Sequence, residues 1–201
     1  AAETTNLGEL IVRANDTYKI PSGTSNIYVD SLKMEDGSSI TIPDDIVLFR
    51  LVAKESSFGK STKIYAKAID GSVGTNGKDG IGINLDLGVA AINGLTVSSS
   101  GGNGGAGIPG TTGRNGADAS CSSNTHGRDG YNGGNGSNGG IGGNGGIISV
   151  TIKQTSSMNL YFEAHGGKGG AGGAGGEGGA GGRGKDNCGV WPYWSKGGGS
   201  K

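Results

Sequence analysis

Proline, histidine, cysteine and aromatic residues are all scarce in this chain, and each scarcity removes an option. Four prolines among 201 residues exclude a collagen triple helix, which needs proline or hydroxyproline beside its axial glycines. Hydrophobic residues reach only 32% and aromatics 5%, so an ordinary oily core is out of reach for much of the length. No apolar run approaches the roughly 20 residues of a membrane-spanning helix, so no membrane span is expected. Lys+Arg and Asp+Glu balance at 17 each, and no excess field draws the chain to nucleic acid. Apolar residues nowhere recur at spacings of three and four, which excludes a substantial α-helix.

Catalytic chemistry is equally thin. His126 and His165 are the only near-neutral bases, and neither has a nucleophile nearby in sequence. Two cysteines and two histidines do not show zinc-ligand spacing. The stretch Phe58-Gly59-Lys60-Ser61 imitates the end of a phosphate-binding loop, but Lys54 stands where its first glycine is required. Residues 74–82 echo a calcium-binding nonapeptide, yet that fold binds calcium between stacked copies and only one copy is present. The expectation is a non-enzymatic protein with no cofactor and no metal.

What the chain does have is strands and glycine. From Leu7 to Ile69 short β-branched runs alternate with turn residues: Leu10-Ile11-Val12, Ile27-Tyr28-Val29, Ile40-Thr41-Ile42, residues 46–52 and residues 63–69. From Gly71 onward the period becomes three, with glycines in phase at 71–80, 101–116, 127–145 and 166–184. Apolar strand-like segments at 83–87, 95–97, 147–152 and 159–164 separate the runs. A flexible linker needs no phase. A bundle of polyglycine II helices does, because such a helix has three residues per turn and no internal hydrogen bonds, so its amides must reach neighbouring backbones.

The bundle makes specific demands. In the doubled-glycine run from Gly166, two side-chain-free faces per turn should place the run inside, with Lys168, Ala171, Ala174, Glu177, Ala180 and Arg183 on the remaining face. The run from Gly101 should lie at an edge, and Asn132, Asn135, Asn138 and Asn144 should share one face of the third run. Four antiparallel passes would turn near Asn93-Gly94, Ser120 and Ser156-Ser157. Cys121 and Cys188 then meet at one end, and a disulfide between them is expected. The opening Ala1-Ala2-Glu3 fits the mature end left by signal peptidase, an oxidising and extracellular setting.

The doubled-glycine runs resemble the polyglycine II bundles of springtail antifreeze proteins and of phage tail-tip adhesins, in repeat type over a third to a half of the chain. The tail from Cys188 to Trp194 is similar to that of secreted bacterial glycine-rich proteins. The resemblance implies an extracellular structural role. Ice binding is the weaker implication, since Lys168, Glu177, Arg183, Arg114, Arg128 and Tyr131 would roughen the flat face it needs.

The expected fold is all-β: a solenoid-like N-terminal β region over 1–70, a mixed strand and polyglycine II bundle over 71–189, and an aromatic, glycine-rich tail over 190–201. The expected function is a subunit of a self-assembling extracellular or cell-surface fibre or matrix, with a receptor-binding adhesin tip as the alternative. Its partner is then another copy of itself, or a receptor or matrix. The candidate contacts are the strand edge at Leu10, Ile11 and Val12, and the aromatic end at Trp191, Tyr193 and Trp194. Those aromatics serve equally well as a cap on the bundle.

Overall fold

The computed structural model describes residues 3–122, 126–185 and 197–201. Among these the protein is all-β, with no helix. Ten strands follow in order: β1 (Glu3–Val12), β2 (Thr17–Lys19), β3 (Thr24–Met34), β4 (Ser39–Thr41), β5 (Leu48–Phe58), β6 (Thr62–Lys67), β7 (Gly82–Asp86), β8 (Val89–Ser100), β9 (Ile148–Thr151) and β10 (Gln154–Glu163). The β-branched runs seen in the sequence all seed strands. β2 has no apolar alternation of its own and is fixed by its partner, Tyr18 lying beside Ile40.

Every pairing in the sheet is parallel. Leu7 pairs with Val29 and Val29 with Ala53; Glu55 pairs with Val89 and Val89 with Gln154. Like positions therefore recur after 22, 24, 34 and finally 65 residues. The chain comes back to the same column each time. Identical columns stack apolar side chains on one another, as Val12, Met34, Phe58 and Ile92 do in one row and Ile27, Leu51 and Leu85 in another. All seven are buried, as parallel sheets require of their inner face. Full burial of a side chain such as Phe58 or Leu51 contributes about 1.5–3 kcal/mol.

Two expected turns lie inside strands. Asn93-Gly94 sits within β8, where the Gly94 carbonyl accepts the Thr62 hydroxyl at 2.7 Å. A Cβ at Gly94 would stand 3.0 Å from the Ser61 amide nitrogen, so the glycine answers a close approach of backbone rather than a reversal. Ser156-Ser157 lies within β10 at a shift of register, with Thr155 Oγ1 donating to the Ser157 carbonyl at 2.6 Å. The chain does not reverse before β8, since β7 and β8 both run parallel to β5; the break between them falls at Gly88, whose φ is +57° and whose Cβ would meet the Lys54 carbonyl oxygen at 2.1 Å.

The chain divides into two compact units that interleave along the sequence. One holds residues 1–72, 76–105 and 141–169, and the other 73–75, 106–140 and 170–201. The sheet belongs wholly to the first unit. There the glycine segments pair laterally as well: Gly101 donates to His165 and Gly104 to Lys168, both at 2.8 Å, and Gly167 donates to Gly143 at 2.7 Å. Lys78 donates to the Ile69 carbonyl at 3.0 Å, so the first glycine segment doubles back on itself and is not a single traverse.

The second unit is built almost entirely from such ladders. Residues 107–119 donate to 171–183 in parallel, every third amide finding the residue 64 positions on, from Gly107 to Ala171 at 2.7 Å through Ala119 to Arg183 at 2.8 Å. Residues 128–137 donate antiparallel to 108–117, and 170–182 donate antiparallel to 128–140. Each of the three segments thus bonds to both others. Asparagine and aspartate then take further amides: Asn115 Oδ1 accepts from Ala180 at 3.0 Å and Asp118 Oδ1 from Arg183 at 2.7 Å.

Burial corrects one expectation drawn from the glycine pattern and narrows another. The doubled-glycine run is not enclosed along its length: Gly172 and Gly175 are exposed, and a Cβ added at Gly175 would meet nothing within 4 Å. Among the described residues its second glycine row is covered chiefly where residues 197–201 lie against it at Gly178 and Gly181, with Gly198 donating to the Gly182 carbonyl at 2.7 Å. The run from Gly101 is enclosed at its start, where Gly101, Gly102 and Gly105 are buried, while Ile108, Pro109, Thr111, Thr112, Arg114 and Asn115 are exposed, as the side chains of an edge run would be. One glycine per turn already suffices to bond two neighbours when one neighbour is reached through its amides and the other through its carbonyls. Asn132, Asn135, Asn138 and Asn144 are all exposed.

Candidate assembly surface

Strand order places the expected contact strand at a sheet boundary. β1 pairs only with β3, and β2 only with β4, so this end of the stack has an open edge among the described residues. Leu10 and Val12 are buried and Ile11 is half-buried. What this stretch can offer a partner is therefore its backbone edge, since two of its three side chains are committed to the core. Trp191, Tyr193, Trp194 and Cys188 lie outside the described residues. Cys121 is disulfide-bonded.

A second open edge, not singled out in the sequence, closes the stack at its other end. β10 pairs only with β8 and β9 only with β7. Met158 and Phe162 stand in register with Ile92 and Val97, which are fully buried one layer below. They nevertheless remain 60% and 54% exposed, because no strand among the described residues covers them. The signal was in the sequence: Met158, Leu160 and Phe162 alternate as a strand face would, and the glycine run that follows supplies no further strand to bury them.

Along the stack, carboxylates fasten the turns. The Glu35 carboxyl is held below the ordinary glutamate range by the Ala14 backbone N–H at 3.0 Å and the Arg13 guanidinium at 3.1 Å. Asp45 is lowered by the Ser22 hydroxyl and the Gly23 amide, tying two successive turns together. Asp70 is lowered by the Lys67 ammonium and the Asn103 amide, both at 2.7 Å. Lys54 is raised by Asp30 at 2.8 Å. All four groups sit at the surface; the three carboxylates steady turns, Lys54 and Asp30 join β5 to β3, and the core does the holding.

One open groove of about 540 Å³ runs beside Val47, Leu48, Ile83 and Ile147, and Val47 and Ile147 are 88% and 83% exposed. Among the described residues no three His, Cys, Asp or Glu side chains gather as metal ligands. No helix there is long and apolar enough to cross a membrane. What the two edges and the groove present is hydrogen-bonding backbone and apolar contact. Comparison of the chain with protein-family models, with curated proteins and with solved structures finds no match.

Proposed function

We propose that this chain is a non-enzymatic extracellular structural protein, the subunit of a self-assembling surface fibre or matrix. The carrying observation is the pair of open strand edges at opposite ends of one all-parallel stack. A parallel edge presents unpaired N–H and C=O groups in a row, and neither end carries a proline to block them. On this reading residues 3–67 are the first coils of a β-solenoid, and the glycine segments are polyglycine II helices. The three-residue spacing of the ladders between segments supports the latter. The disulfide at Cys121 supports an oxidising, extracellular setting.

The adhesin reading draws on a different observation, the exposed apolar groove at Val47, Leu48 and Ile147. Size-exclusion chromatography and negative-stain microscopy of the purified chain separate the two. Filaments that lengthen with concentration are the expected result; discrete monomers or trimers at all concentrations favour the adhesin and reject the fibre.

A further inference from the structure

The geometry points to the partner of the β1 edge as the β9/β10 edge of a second copy, added in parallel and in the register of the existing columns. This inference rests on the fibre reading and fixes its contact. Column by column, the pairings can be followed through the whole stack, across the register shifts in β10. Val12 leads through Met34, Phe58 and Ile92 to Met158. Tyr18 leads through Ile40, Ile64 and Val97 to Phe162, and Lys19 through Thr41, Tyr65 and Ser98 to Glu163. A further copy laid on β10 as β8 lies beneath it would set its Val12 over Met158, its Tyr18 over Phe162 and its Lys19 over Glu163.

Three features favour a second copy over any other occupant. The apolar columns break off uncovered at Met158 and Phe162, whereas the equivalent positions one layer down are fully buried. The edges match in length, since β1 and β2 present 10 and 3 residues and β9 and β10 present 4 and 10. The charged column ends in opposite signs, lysine at one end of the stack and glutamate at the other. Because the two edges are different surfaces of the same molecule, their union is head-to-tail, and a copy added along the stacking direction leaves the next edge free, so the contact propagates as a filament and not a ring.

Carbodiimide cross-linking with peptide mass spectrometry tests this on the full chain. Within one molecule Lys63 lies 3.8 Å from Glu163, so a Lys63–Glu163 link forms in every state and serves as the internal control. Lys19 and Glu163 are separated by four strand spacings within a molecule, roughly 19 Å, too far for a zero-length link. The expected result is a Lys19–Glu163 link that appears only in filaments. Phe162→Asp, which would bury a charge at the new contact, should raise the concentration needed for filaments by at least about tenfold. Met158→Lys should act alike, and Phe162→Leu should leave assembly near normal. Circular dichroism of the monomers checks that each variant folds. Filaments without the Lys19–Glu163 link, or Phe162→Asp filaments as abundant as wild type, overturn the contact and leave the fibre reading standing. A wild-type chain that never polymerises overturns both.

Discussion

Asn103 holds Lys168 through its side chain while the next residue holds it through the backbone. The Asn103 side-chain oxygen accepts the Lys168 amide at 2.9 Å, and the amide of the next residue, Gly104, donates to the Lys168 carbonyl at 2.8 Å. Asn76 with Ile141 and Asp79 with Asn144 repeat the side-chain contact in the same unit, both at 2.8 Å. Ladder bonds use only some of the backbone amides, and short polar side chains collect others. Asn103→Ala should therefore speed hydrogen exchange at the Lys168 amide about fivefold, the equivalent of about 1 kcal/mol for one hydrogen bond. Amide-resolved exchange by NMR reads this directly, and an unchanged Lys168 rate would remove the role given to these side chains.

Adjacent glycines should respond in opposite ways to the same substitution. A Cβ at Gly176 would stand 2.0 Å from the Thr111 carbonyl oxygen, whereas one at Gly175 meets nothing within 4 Å. Gly176→Ala must push two backbones apart and should cost about 1–3 kcal/mol or more. Gly175→Ala should be within about 0.5 kcal/mol of wild type, as surface substitutions usually are. Thermal melts of the two variants side by side check the contrast.

Acid should weaken the turns before it reaches the core. Glu35, Asp45 and Asp70 all have carboxyls held below their ordinary range by the folded state. Their stabilisation is present above the unfolded-chain values and disappears as pH falls through the lowered ones. Lys54 works at the other limb: raised by Asp30, its contribution fades only as pH climbs through its elevated value. The melting temperature should hold steady at neutral pH and drop below the usual carboxylate range. Asp45→Asn with Asp70→Asn should flatten the acid limb, and an unaltered slope in that double variant would count against the assignment.

Two phenylalanines separate core from edge. Phe58 is buried in a stacked column while Phe162 is exposed at the end of one. Phe58→Ala should destabilise the monomer by about 3–5 kcal/mol. Phe162→Ala should scarcely move it, and denaturant titration at concentrations too low for assembly makes the comparison.

Much of this architecture was legible because two periods are visible in the residues. Alternating β-branched runs announced the strands, and glycine in phase of three announced lateral pairing of segments. Strand direction was hidden, since nothing in Ile27-Tyr28-Val29 or Leu95-Thr96-Val97 distinguishes a parallel neighbour from an antiparallel one. Asn93-Gly94 misled because the same dipeptide suits a hairpin turn and a strand position crowded by backbone at Ser61. The doubled glycines misled in another way: composition gives the freedom to accept a neighbour at Gly172 or Gly175, but only the course of the chain decides whether one arrives. At the candidate contact, Leu10 and Val12 drew notice as an apolar run, while Met158 and Phe162 gained meaning only once their columns could be followed downward to Ile92 and Val97.

Constant offset between Gly107–Ala119 and Ala171–Arg183, and constant opposition of both to residues 128–140, make the second unit indifferent to its own extent. Remove one triplet from each of the three segments at matching heights and every surviving donor still faces an acceptor. Remove a triplet from one segment alone and the partners beyond that point fall out of step with the turn that joins them. Lengthening or trimming is thus quantised and must be concerted, a rule under which related sequences can vary in size by whole rungs while the folding problem stays the same.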